Sequence, residues 1–127
     1  MGAAADLLES VRGQPLEALA DLLAEDAEWW VAGDPARFPW AGSFVGPDGF
    51  RKFLTHLREN LDYQRFDIID TIDGGDRLVQ IVDAAGVHRV TGRPFASLIA
   101  RTFEVRDGRL VRVRSIYDTA AYDRAVG

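Results

Sequence analysis

The chain reads as an α+β fold: a strongly curved, mostly antiparallel sheet wrapped around three N-terminal helices, the whole shaped as a cone. Three observations predict it. Apolar residues at helical spacing are confined to the stretch that ends near Asn60, and period-two alternation fills the chain after it. Two turn sequences, Asp73-Gly74-Gly75-Asp76 and Asp107-Gly108, separate alternating runs as hairpin turns do, because their residues tolerate positive φ. Helices and strands are segregated rather than alternating, which favours an antiparallel layer over a parallel βαβ sheet.

The elements follow in order. Leu7, Leu8 and Val11 suggest a first helix that Gly13 interrupts. Pro15 suits the first turn of a second, carrying Leu16, Leu19, Leu22 and Leu23. Ala27 to Ala32 reads as a strand, and Gly33 to Val45 as a loop broken by Pro35 and Pro39. A third helix opens at Gly46-Pro47, and Phe50, Phe53, Leu54 and Leu57 form its apolar stripe. Four strands complete the meander: Tyr63 to Ile72, Arg77 to Val82 with a continuation to Val90, Phe95 to Arg106, and Arg109 to Asp118. Ala84-Ala85-Gly86 marks a bulge or sharp bend in the second of these. A curved sheet covered on one face by helices leaves an open mouth, which is a natural small-molecule site.

Bulk properties narrow the function. The 127 residues suit one domain spanning 1–127, with a core that needs no disulfide or structural metal. Cysteine is absent, which excludes thiolate chemistry and disulfides. The net charge of −5, with the arginines scattered, argues against nucleic acid. No run approaches a membrane span and the start, MGAAADLLESVRG, lacks the pattern of a signal peptide, so a cytoplasmic protein is expected. No phosphate loop, dinucleotide fingerprint or metal-ligand spacing is present, so no cofactor and no metal are expected.

In order and spacing, LLAEDAEWW, FVGPDGFRKF, TGRPF and DGRLVRVRSIYD resemble segments of the nuclear-transport-factor-2-like superfamily. The likeness is greatest to its SnoaL-like polyketide cyclases and limonene-epoxide-hydrolase-like members. The resemblance implies an apolar cone-shaped cavity and an acid/base aspartate at the end of the last strand, a position that matches Asp118. It also matches Trp29 and Val31 to the first-strand positions where the hydrolases keep Tyr and Asn, and Asp83 to one carboxylate of their Arg-x-Asp pair. The Tyr and the penultimate-strand Asp of steroid-isomerase-like members have no counterpart here.

The residues themselves leave alternatives open. Asp118 in a dry cone would have its charge disfavoured and its pKa raised from about 3.9, suiting it to proton transfer. Alternatively it caps a short helix begun by Thr119-Ala120-Ala121-Tyr122. Asp83 interrupts an apolar run, so it either pairs with Asp118 in the cavity or lies on the convex face as an arginine's partner. His88 is a proton relay or a turn-proximal surface residue. Arg101 alternates with Phe95, Ser97, Ile99 and Phe103, so it shares their side of the strand and needs an acidic partner, a substrate anion or a dimer interface. Trp29, Val31, Trp40, Phe44, Phe50, Phe53 and Ile99 are the expected apolar walls. The loop members Phe38, Trp40 and Phe44 suggest a lid over the mouth.

Together these predict cofactor-independent acid/base chemistry on a small apolar substrate. Asp118, Asp83 and His88 would be the catalytic groups, acting in cyclisation, isomerisation or epoxide opening of a polyketide- or terpenoid-like molecule. The alternative is a non-catalytic binding or accessory protein using the same cone. A homodimer through the convex face is also expected, where Arg112 and Arg114 alternate with Val111 and Val113.

Overall fold

Along the chain run α1 (Ala3–Glu9), a 3₁₀ segment (Leu16–Leu22), β1 (Leu23–Val31), β2 (Gly42–Val45), α2 (Gly46–Asn60), β3 (Leu61–Asp73), β4 (Arg77–His88), β5 (Pro94–Arg106), β6 (Arg109–Tyr117) and α3 (Thr119–Val126). These come from a computed structural model that describes residues 2–127. The six strands form one sheet in the order β2-β1-β6-β5-β4-β3. Every neighbouring pair is antiparallel except β1 and β6, which run parallel. The expected α+β architecture is present. No helix among the described residues is long and apolar enough to cross a membrane.

Each helix follows from its local sequence. In α2, Pro47 sits in the first turn, where its missing N–H costs nothing, and Phe50, Phe53 and Leu54 are buried on one face. That face packs against β1, β2 and the 3₁₀ segment. The second predicted helix is this 3₁₀ segment instead. Leu16, Leu19 and Leu22 recur every third residue, the spacing that lines up side chains at three residues per turn. Leu23 then leaves it and opens β1 four residues earlier than expected, with a register shift against β6 between Leu23 and Glu28. The short strand β2 lies inside the expected loop, pairing Phe44 with Trp29 and Gly42 with Val31.

The hairpins obey their turn chemistry. Asp107 (φ 52°) and Gly108 (φ 75°) both take the left-handed conformation that joins β5 to β6. The break expected at Ala84-Ala85-Gly86 falls on the partner strand: β3 shifts register between Tyr63 and Arg65, opposite Ala85 and Gly86. Gly86 makes that shift possible, because a Cβ there would overlap the Asp62 carbonyl oxygen. A second shift lies between Ile68 and Asp70. Both fall on the sheet's outer strand, where bulges and charged residues discourage further pairing.

Strand register decides what the inner face carries. One row across the sheet is Trp29, Val113, Phe103 and Leu78. The next is Val31, Ser115, Arg101, Gln80 and Thr71, and the next Tyr117, Ile99, Val82 and Ile68. Phe95, Gly86 and Tyr63 form a further row toward α3. The outer face bears Arg112, Arg114, Ile116, Leu98, Ile81 and Asp83, while Val113 points inward and is fully buried.

Candidate functional site

Between the inner face, α2 and the 3₁₀ segment lies a cavity of about 430 Å³. That is within the usual range for small-molecule sites. Trp29, Val31, Trp40 and Phe53 line one side, and Ile99, Arg101, Ser115 and Tyr117 form the floor. Leu16, Leu57, Tyr63, Phe66 and Ile68 complete it. Leu16, Phe66 and Ile68 are exposed apolar residues, so they define its mouth. An ion pair between Arg58 and Glu17 ties α2 to the 3₁₀ segment.

The one charged group in the wall is Arg101. It sits mid-strand in β5 opposite Gln80, and its Nη2 donates to Gln80 Oε1 at 2.7 Å. Its guanidinium lies 5.0 Å from the Phe66 ring centre and 5.5 Å from that of Phe103, cation–π distances. Nε is buried without an acceptor, and no carboxylate pairs with Arg101 among the described residues. Burial pulls its pKa down to about 10, which leaves the side chain a cation at neutral pH.

Hydroxyls and an indole supply the remaining polarity. Tyr63 Oη and Tyr122 Oη are 2.8 Å apart. Burial pushes both phenols well above their ordinary range, so both stay protonated. Tyr117 donates to the Ala32 carbonyl and accepts from Trp40 Nε1 at 3.2 Å. Its pKa is pushed up to about 12, again by burial. Trp29 is buried against Phe50 and Phe53, with ring centres at 4.5 and 5.4 Å, and its Nε1–H has no acceptor.

Trp29, Val31, Trp40, Phe53, Ile99 and Arg101 line the cavity as expected. Phe50 and Phe44 do not. Phe50 is entirely within the core, and Phe44 packs edge-on against Phe53 at 5.6 Å. Phe38 and Trp40 form no lid, because both are buried and stacked at 5.0 Å, and Arg37 bonds Asp123 of α3 at 2.6 Å to hold their loop down. Tyr63, Ser115 and Tyr117 were not anticipated. Counting back by twos along β6 from Tyr117 reaches Ser115 and Val113, and that alternation could have found two of the three.

The three candidate acid/base groups lie elsewhere. Asp118 is exposed and is the N-cap of α3, its Oδ1 accepting from the Ala121 N–H at 3.2 Å. Strand alternation is the reason: Tyr117 takes the inward position, and the chain turns into a helix one residue later. Asp83 faces outward between the inward-facing Val82 and Ala84, and bonds Arg65 at 3.2 Å. It therefore forms no carboxylate pair with Asp118. His88 is buried beside the turn after β4, where Nδ1 accepts from the Thr91 N–H at 3.4 Å. Desolvation lowers its pKa and keeps it neutral. None of the three lines the cavity.

A model of the SnoaL-like domain matches residues 4–113. No curated protein matches the chain significantly. Among solved structures, an NTF2-like protein from Burkholderia thailandensis E264 superposes with a TM-score of 0.81 at 27% identity, over 98% of this chain and 95% of the other. An NTF2-like protein of unknown function from Burkholderia pseudomallei K96243 gives 0.84 at 20% identity, over 99% and 98%. A structure from Mesorhizobium loti, assigned as a SnoaL-like polyketide cyclase, gives 0.74 at 17% identity, over 91% and 96%. With these last two the likeness is one of fold.

If Asp118 acts as a helix cap, Asp118→Ala should lower unfolding stability by about 1 kcal/mol, measured by urea denaturation. Asp118→Asn should recover most of that, and ligand affinity should be unchanged in both. Loss of ligand affinity in the well-folded Asn variant would return Asp118 to the site.

Proposed function

The chain belongs to the SnoaL-like domain family, and we propose that its cavity binds a small, largely apolar organic molecule. The observation that carries this reading is an open-mouthed cavity walled by aromatic and aliphatic side chains, with one cation and few hydroxyls. Such a lining recognises shape and apolar area first and polar groups at a few points. The lining residues include neither a carboxylate nor an imidazole. The binding reading therefore stands ahead of acid/base catalysis by Asp118, Asp83 and His88.

A second reading, turnover of an enolisable substrate by isomerisation or cyclisation, is favoured by one observation. A phenol, Tyr63, and a guanidinium, Arg101, border the same cavity, and such donors stabilise developing charge on an enolate oxygen. The base would then come from the substrate or solvent. Deuterium exchange at the α-carbon of a bound ketone, followed by NMR, separates turnover from binding.

Trp29 and Trp40 both line the cavity, so tryptophan fluorescence reports its occupancy. Titration with 2-naphthamide should give saturable quenching, and Ile99→Trp, which fills the floor, should abolish it while circular dichroism remains that of the wild type. A linear, unsaturable response in the wild-type protein would contradict a binding cavity.

We also propose that a second copy of the chain covers the outer face of β4, β5 and β6. Leu98 and Ile116 are exposed there beside Ile81 and Ala100, forming an apolar patch in the middle of the sheet. At its border Arg112 and Arg114 approach Glu28. Light scattering at high micromolar concentration should report a dimer, and Leu98→Arg should yield the monomer. A monomeric wild-type protein would remove the claim.

A further inference from the structure

The polar groups of the cavity are unbalanced, and the imbalance specifies the charge of its occupant. Arg101 satisfies one of its nitrogens on Gln80 and leaves Nε with no acceptor. Trp29, 3% exposed, also carries an N–H without an acceptor. Both residues border the same cavity, but these two nitrogens lie behind its surface, so what the cavity meets is the Arg101 charge.

Tyr63 adds a donor. The Tyr63–Tyr122 pair holds two hydroxyl protons, and the bond between them uses one. Tyr122 is 1% exposed and does not border the cavity, so a proton left on it would be buried and unmatched. Donation from Tyr122 to Tyr63 avoids that and turns the Tyr63 proton toward the cavity. On the acceptor side, the Tyr117 oxygen already accepts from Trp40, and Gln80 Oε1 accepts from Arg101. Ser115 alone offers a hydroxyl with no internal bond among the described residues. The wall thus presents donors and a positive charge, with almost no acceptor to match them.

From this we infer that the ligand is a monoanion: an apolar body carrying a delocalised oxyanion, a carboxylate or an enolate, seated against Arg101 and Tyr63. The inference rests on the reading of the cavity as a small-molecule site and adds the class of molecule it takes. A guanidinium without a carboxylate partner is unfavourable in the empty protein, and a ligand anion supplies the missing counter-charge. Planar guanidinium geometry matches a carboxylate at two points. The same charge rejects ammonium ligands of similar shape.

The test uses three probes of one shape on the intact protein, followed by isothermal titration calorimetry at pH 7.5: 2-naphthoate, 2-naphthamide and 2-naphthylmethylammonium. The wild-type protein should bind the naphthoate about tenfold more tightly than the amide, the usual worth of a hydrogen bond to a charged group, and the ammonium most weakly. In Arg101→Gln the naphthoate should lose that advantage over the amide, and Arg101→Lys should retain part of it. Equal binding of naphthoate and amide by the wild-type protein, or a preference that survives Arg101→Gln, would overturn the inference and leave the cavity reading intact. Failure of all three probes to bind would overturn both.

Discussion

The site depends on a cation held where no anion meets it. Arg101 projects from the middle of β5 into the space beneath α2, among Phe66, Phe103 and Ile99, with a neutral amide as its hydrogen-bonding partner. A charge in such surroundings is unfavourable unless it is paired, and burial depresses the Arg101 pKa without discharging it at neutral pH. Most other arginines pair with carboxylates, as Arg65 does with Asp83, Arg37 with Asp123 and Arg58 with Glu17, and Arg93, Arg109 and Arg124, which do not among the described residues, are exposed to water. Acidic residues are plentiful, and twenty of them leave the chain at −5. What sets Arg101 apart from the exposed unpaired arginines is its place in a cavity wall, where the proposed ligand anion would meet it.

Sheet register puts that cation in place, and the outer strand keeps the cavity open. Arg101 is aligned with Ser115 and Val31 on one side and Gln80 and Thr71 on the other, so the polar residues form a single band between apolar rows. The two register shifts in β3 set where Phe66 and Ile68 stand, and these side chains form the mouth with Leu16. A continuous β3 would invert the facing of its residues beyond each shift and rebuild that rim. Gly86, which admits the close approach of β3, therefore acts on the shape of the site from outside it.

Much of this was legible in the sequence because it rests on local rules. The Asp107-Gly108 turn, the apolar stripe of α2 and the alternation placing Phe95, Ile99, Arg101 and Phe103 together are periodicities of two or 3.6 residues, and the structure keeps them. The second helix is a 3₁₀ segment, which the sequence does not distinguish because leucines spaced by three fit an α-helix and a 3₁₀ turn alike. At Asp118 the sequence left a catalytic and a capping role open, and the structure shows the cap. One residue separates the inward Tyr117 from the cap, and an offset that small inverts a side chain's direction. Tyr63 was out of reach for a different reason: its contact with Tyr122 joins residues 59 positions apart, and no local pattern announces it.

The central claim, that Arg101 is held without an internal counter-ion, can be measured on the empty protein. Arg101→Met replaces the guanidinium by an apolar side chain of similar length, and its unfolding in urea can be compared directly with that of the wild type. A cation without a counter-ion offsets what its bond to Gln80 and its aromatic contacts contribute, so the Met variant should be no more than about 1.5 kcal/mol less stable than the wild type. A loss of about 3 kcal/mol or more, the usual consequence of breaking a buried ion pair, would show that Arg101 has a structural partner and would contradict the account.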